Sequence, residues 1–351
     1  MSGNKLAIKE VARRIGVSTA TISNAFNRPD QLSEKRRKSI LSACEEMGYF
    51  GPNKAARSLR QGKSNIIALI LPDELDYMVS DPVASQFIEG VAKALKKTEK
   101  HLLLFSGNNE NVNEIIDFVD GFICYGSPRS QSLLEQLPNI KKKIVTVDFD
   151  IADTPSINID NEEAAYQSAC LAIGDSTVFP VILGLRLVES EQTSTIEGKP
   201  LIGSGFSIAH RRLDGYRRAL AQHQIAVDES HIWHIPENTH KHAVVAAHQA
   251  LSLKPVPTVV LCMSDIIALA VLEVARQMGL RVPEDLRVVG FDGIEQGQQY
   301  HPTLTTVQQF SVEKGIQAAE LFINDSKKTQ QLGFKILSGE TAPIKRPICL
   351  S

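Results

Sequence analysis

The chain has 351 residues, 43 % of them hydrophobic, and a formal net charge of −2. That is long for one ordinary domain and enough for two sizeable cores plus a small one; no apolar run approaches the roughly 20 residues that span a bilayer and no secretory apolar core opens the sequence, so a cytoplasmic protein is expected. The near-neutral total hides a separation, because residues 1–63 carry 13 Lys and Arg against 5 Asp and Glu while the remainder carries 25 against 35, and a basic head on an acidic body suits phosphate binding.

In chain order, the first element is an amphipathic helix from Ile8, with Ile8, Val11, Ala12 and Ile15 at i, i+3, i+4 and i+7 on one stripe. Gly16 makes a turn. Ser18 then caps a second helix whose Ile22 faces the stripe, while Thr19, Ala20, Ser23 and Asn24 point outward. A helix-turn-helix presents residues near the start of its second helix to base edges in the major groove. An ordinary helical hairpin is the alternative, and the following residues weigh against it. A third helix opens at Ser33 as N-cap, turns Ile40, Cys44 and Met47 inward and stops at Gly48. Its first turn concentrates Lys35, Arg36, Arg37 and Lys38, placed for phosphate contact.

Pro52 to Gly62 reads as a short helix opened by proline and closed by glycine. It is too short to be stable alone, so a partner must help it fold, as in a switchable hinge. Leu59, a lone leucine flanked by arginines, suits wedging into the minor groove; packing of a plain linker on the next domain is the alternative.

From Asn65 the period changes. Strand-length apolar runs (66–71, 102–105, 121–124, 144–148) alternate with helical stretches (83–97, 112–119). After a crossing near 156–160 the alternation resumes with helices at 162–173, 208–222, 242–251 and 266–278 and strands at 178–185, 232–234, 259–262 and 288–291. Such alternation implies βαβ units and a parallel sheet covered on both faces, and the break favours two doubly wound lobes. Ligands in these folds lie beyond the carboxyl ends of the strands. Asp148, Asp292 and Ser264 with Asp265 follow apolar strand runs and so become pocket candidates, with helix capping or structural hydrogen bonding as the competing role. The stretch 174–203, polar in its centre, reads as a surface loop without an assigned role.

Catalytic and metal motifs are weak. Gly62 Lys63 Ser64 mimics the end of a phosphate loop, but Arg57 stands where its glycine is required. Gly203 Ser204 Gly205 completes neither a nucleophile elbow nor a dinucleotide fingerprint. His231, His234, His240, His242 and His248 match no zinc spacing and read as solvated or capping side chains. The five cysteines, Cys44, Cys124, Cys170, Cys262 and Cys349, are scattered mostly through apolar runs and read as buried thiols, with no disulfide framework or CxxC pair. No cofactor, no metal and no enzymatic activity are expected.

Several segments together resemble the lactose and galactose repressor (LacI/GalR) family of bacterial transcription regulators: IKEVARRIGVSTATISNAFN, SEKRRKSILSACEEMGY, PNKAARSLRQGKS, RRLDGYRRAL at 211–220, the run from Pro257 to Gly293, and PTLTTVQQ at 302–309. The resemblance implies an N-terminal all-α helix-turn-helix domain at 1–48 and a hinge helix at 49–63. It implies an α/β periplasmic-binding-protein-like core of two doubly wound lobes, expected at 64–160 plus 309–325 and 161–308 plus 326–351. It also implies a homodimer or tetramer, repression from a pseudo-palindromic double-stranded operator, and a small-molecule effector (sugar, nucleoside or related metabolite) between the lobes. A solute-binding or enzymatic α/β protein with a fused helical head is the rival.

Carried over by position, Thr19, Ala20 and Asn24 read bases, with Ser18, Thr21, Ser23, Asn27, Asn53, Ala56 and Arg57 around them and Leu59 as the wedge. Many relatives carry Arg at the position of Asn24; Arg suits guanine, Asn adenine. For the effector the resemblance raises Asp148, Arg212 and Asp292, with Ser85, Gln86, Phe87, Tyr125, Ser264 and Tyr300 as further polar or stacking surface. Ser264 and Gly293 depart from the Asn and Asp frequent in sugar-binding relatives.

Overall fold

The structure is a computed structural model and describes residues 7–51, 64–151, 153–174, 178–203 and 207–342. The helical head and the α/β body form separate compact units. In the head, α1 (Ile8–Ile15) ends at Gly16 in left-handed backbone, φ 73°, and α2 (Thr19–Asn27) starts at Ser18, whose hydroxyl accepts the Thr21 N–H at 3.0 Å. The third helix, α3 (Glu34–Glu46), has Ser33 at its N-cap without a side-chain cap bond. Val11, Ala12, Ile22, Ala25, Ile40, Cys44 and Tyr49 bury together, so the predicted stripe and its partners make one small core.

Along the body come β1 (Ile66–Leu71), α4 (Leu75–Ser80), α5 (Pro82–Leu95), β2 (His101–Ser106), α6 (Asn113–Ile116), β3 (Gly121–Tyr125), α7 (Gln131–Gln136), β4 (Lys143–Val147) and β5 (Ser156–Ile159). Then follow α8 (Asn161–Ile173), β6 (Pro180–Leu183), β7 (Ser194–Thr195), α9 (Ile208–Gln222), β8 (Ile232–His234), α10 (His240–Leu251), β9 (Val259–Cys262), α11 (Asp265–Gln277), β10 (Arg287–Asp292), α12 (Glu295–Gln299), β11 (Thr305–Gln308), α13 (Ser311–Ile323), β12 (Gln330–Leu332) and β13 (Lys335–Leu337). Two sheets result, ordered β12-β5-β4-β3-β1-β2 and β13-β11-β10-β9-β6-β8-β7. The first is parallel throughout; the second is parallel except for its edge strands β7 and β13. Strands such as β1 and β9 are buried along almost their whole length, as sheets covered on both faces require.

The chain passes between the sheets three times: at 159–161, at 309–311 and at 333–334. The last passage corrects the expected division, because 330–332 pair with β5 in the first sheet, whereas 326–351 were expected to belong wholly to the second lobe. The 112–119 helix is a single turn, α6. Within 174–203, β6 falls in the strand expected at 178–185, and the polar remainder is more than a surface loop, since it carries edge strand β7 and a bridge between Val188 and Leu201. Among the described residues no helix is long and apolar enough to cross a membrane.

Candidate functional site

The head offers one polar face. Ile22 and Ala25 turn α2 inward, which leaves Ser18, Thr19, Ala20 and Asn27 exposed and Thr21, Ser23 and Asn24 half-buried. Four of these side chains, those of Ser18, Thr21, Ser23 and Asn27, have local partners. The Ser18 and Thr21 hydroxyls share a 2.9 Å bond at the cap, and Asn27 Nδ2 donates to the Ser23 carbonyl at 2.9 Å. The Thr19 and Asn24 side chains have no hydrogen bond among the described residues. In the basic cluster Lys35, Arg36 and Lys38 are exposed, but half-buried Arg37 is structural, its Nε donating to the Ala25 carbonyl at the end of α2 at 2.9 Å. Asn53, Ala56, Arg57 and Leu59 lie outside the described residues.

In the body, the strand-end aspartates meet at the junction of the sheets. Asp148 follows β4 with φ 61° and Asp292 ends β10 with φ 133°, backbone that L-residues avoid and that concentrates at ligand sites. Both are buried, and a chain of buried polar groups joins them. The Lys314 ammonium donates to both Asp148 oxygens, at 2.9 and 2.8 Å, and to Gln309 Oε1 at 2.7 Å. Gln309 Nε2 donates to Asp292 Oδ1 at 2.7 Å. Arg212 approaches the same oxygen at 3.5 Å, donates to Asn161 Oδ1 at 3.0 Å and to the Met263 carbonyl at 2.5 Å, and lies 3.6 Å over the Phe291 ring. Burial pushes the Asp292 carboxyl well above the ordinary carboxylate range, with Arg212 opposing, and burial lowers Lys314 against the pull of Asp148. Such a network is stable only because nearly every member is satisfied.

Beside it lies a cavity of about 240 Å³, walled by Gln86 of α5, Asp292, Gly293 and Gln308 at strand ends of the second sheet, and Phe310 with the first residues of α13. Gly293 is fixed by space as well as by its φ of 73°, since a Cβ there would stand 2.7 Å from Gln308 Cα. The two lobes also meet along the rim. The Asn238 N–H donates to the Tyr77 hydroxyl at 2.9 Å and its Nδ2 to Asp81 at 3.3 Å, while Ser264 Oγ donates to Asn238 Oδ1 at 2.5 Å. Arg129 spans from Asp73 at 3.1 Å to Glu191 at 2.6 Å.

The family models for "Bacterial regulatory proteins, lacI family" and "Periplasmic binding protein-like domain" match residues 7–53 and 201–333. The HTH-type transcriptional repressor CytR of Escherichia coli K12 is 31 % identical over 337 residues, 93 % of this chain and 91 % of that protein. The chain belongs to the lacI family. It is thus a DNA-binding transcription regulator with a small-molecule-binding type of core. Two solved structures share the lacI-family fold: the lac repressor dimer bound to operator and an anti-inducer (TM-score 0.70, 21 % identity, 97 % of this chain and 100 % of that one) and the CelR–cellobiose complex (TM-score 0.67, 22 %, 96 % and 100 %).

Within this lacI-family core the expected effector residues divide. Gln86 and Asp292 line the cavity. Asp148 and Arg212 lie in the buried network, and Ser264 caps α11 through the Ile267 N–H at 3.1 Å while contacting Asn238. The remaining candidates hold contacts within the fold. Ser85 donates to the Val79 carbonyl at 2.8 Å, Phe87 is fully buried and stacks on Tyr125 at 4.5 Å, and Tyr300 packs on the second-lobe cluster around Leu272 and Leu304. Asp265 also holds contacts within the fold: it accepts the Ile294 N–H and the Thr306 hydroxyl, and burial pushes its carboxyl up to about 6. His234, expected to be solvated or capping, is fully buried; its Nδ1 accepts the Leu187 N–H at 3.0 Å, which anchors the 187–190 loop.

Sequence reasoning missed Gln309, Phe310 and Lys314. The first two immediately follow or close the PTLTTVQQ motif, and their place at a crossing between strand-end aspartates was the available signal. Lys314 gave none, since a lysine on an amphipathic helix ordinarily faces water.

Proposed function

We propose that the chain represses transcription as a homodimer whose two heads grip successive half-sites of a near-palindromic operator, and that a small molecule entering between the lobes alters this grip by changing how the lobes close. The observation that carries the reading is the composition of the exposed α2 face: Thr19, Ala20 and Asn24 stand free of local bonds beside a solvated basic cluster. The cavity bounded by both lobes and by the 309–311 crossing supports the second half, because movement of either lobe changes its walls. The protein acts by binding alone, without turnover, in the cytoplasm where its DNA target resides. The relatives point the same way, one being a repressor by name and another structure holding cellobiose.

Selection of bound duplexes from a random pool by the purified full chain tests this. The expected outcome is an enriched two-fold site, with adenine at the position facing Asn24, since the Asn amide pairs with adenine N6 and N7. Asn24→Arg is expected to move that base to guanine. Enrichment of no sequence, or an unaltered base for the variant, refutes the assigned reading face.

A further inference from the structure

The first lobe sorts its charge along its strands. All six strands of its sheet run parallel, so their starts lie at one end and their carboxyl ends at the other. The carboxyl ends lead into acids, among them Asp73, Glu74, Asp148, Asp150 and Asp160. The starts are rich in lysine. Of the ten lysines in residues 64–160 and 309–332, eight fall within 96–100, 141–143 and 327–328, the segments that lead into β2, β4 and β12. Lys143 is engaged, donating to the Phe322 carbonyl and pairing with Asp325 at 2.8 Å, which ties the 322–325 segment to the start of β4. Lys96, Lys97, Lys141, Lys327 and Lys328 are exposed and form no ion pair among the described residues. The exposed acids at this end, Glu99, Asp117 and Asp153, leave the lysines in excess.

The chain arrives from the basic head at this same end. Ser64 leads into β1, and its N–H donates to Asp120, just ahead of β3, at 2.6 Å. Residues 52–63 join Gly51 of the head to Ser64, and a chain of that length spans at most about 45 Å. A duplex gripped by the head is therefore tethered close to these lysines, at an effective concentration that a free polyanion does not match. From β2 to β12 the row extends about 24 Å at ~4.8 Å per strand, the length of about seven base pairs, so it suits a phosphate backbone.

We propose that the strand-start end of the first lobe is a second DNA surface, at which Lys96, Lys97, Lys141, Lys327 and Lys328 neutralise phosphates of the duplex held by the head. The contact carries no base information, because a flexible ammonium meets a phosphate in the same way in every sequence. It adds affinity without selectivity, and it requires only that the head bind DNA, whichever of its residues read the bases.

The test is binding of the full chain to a random-sequence duplex of about 40 base pairs, titrated at several salt concentrations. Replacing Lys97, Lys141 and Lys328 together by Gln is expected to flatten the slope of log affinity against log salt by about one for each phosphate left without its lysine, up to about three. A control of equal charge replaces Lys241, Lys254 and Lys335, exposed lysines of the second lobe, by Gln and is expected to keep the parental slope. A parental slope in the first triple variant overturns the surface. Equal flattening in both triple variants also overturns it, since that is an effect of total charge. If the first triple variant keeps the DNA slope but loses binding to phosphatidylglycerol vesicles, the face belongs to a membrane and the proposal falls. No duplex binding by the parent chain removes it together with the DNA-binding role of the head.

Discussion

A buried lysine sets the character of the polar network at the junction of the two sheets. Lys314 is 1 % exposed and Asp148 5 %, and each is the other's counter-charge. Removing one partner of such a pair strands the other in a low dielectric, whereas removing both leaves ordinary polar or apolar groups. Lys314→Met is therefore expected to lower unfolding free energy by about 3–5 kcal/mol, and Asp148→Asn with Lys314→Met to recover most of that loss. Urea unfolding of the single and double variants measures the coupling. A double variant as unstable as the sum of the two singles contradicts a mutually dependent pair. The aspartates themselves were legible, because each ends an apolar strand in a fold that builds its pockets there. Their partners were not, because Lys314 and Gln309 lie far away in sequence and only the second crossing brings them back.

Between elements, the same device holds each lobe together. In the first lobe α5 packs on α13, and a Cβ added at Gly90 would stand 2.0 Å from the Val312 carbonyl oxygen, while one at Gly315 would stand 2.2 Å from the Phe87 carbonyl oxygen. In the second lobe α9 packs on α8, and a Cβ at Gly215 would stand 2.2 Å from the Glu162 carbonyl oxygen. In both cases the helix that enters at a crossing meets its neighbour through glycine. Gly90→Ala should gain about 1 kcal/mol of helix propensity. It must nevertheless push two backbones apart, and overpacking costs about 1–3 kcal/mol or more. Thermal unfolding of the full chain is expected to show a net loss, and a variant as stable as the parent would show that the helices separate freely. The helices α8, α9 and α11 were readable from periodicity almost to the residue. The short strands β7, β12 and β13 were not, since two or three polar-flanked residues carry no period and their pairing depends on strands far away in sequence.

For the molecule as a whole, sign of charge divides the labour. Residues 1–63 hold an excess of eight positive charges and the rest an excess of ten negative ones, so attraction to a polyanion is strongest at one end of the chain. This was fully legible in composition; which cations are free to act was not, because Arg37 is spent on the Ala25 carbonyl and Lys38 shares Glu34 at 2.9 Å. Exposed Lys35, Arg36 and Lys38 carry no base-reading geometry, and binding to phosphate contributes equally to every sequence. Replacing these three by Gln is expected to weaken operator and random duplex alike. The slope of log affinity against log salt should flatten by about one for each phosphate left without its cation. Titrations at several salt concentrations measure both quantities. If the triple variant instead lost only operator preference and kept the parental slope, the start of α3 would be reading bases, and base recognition would extend beyond α2.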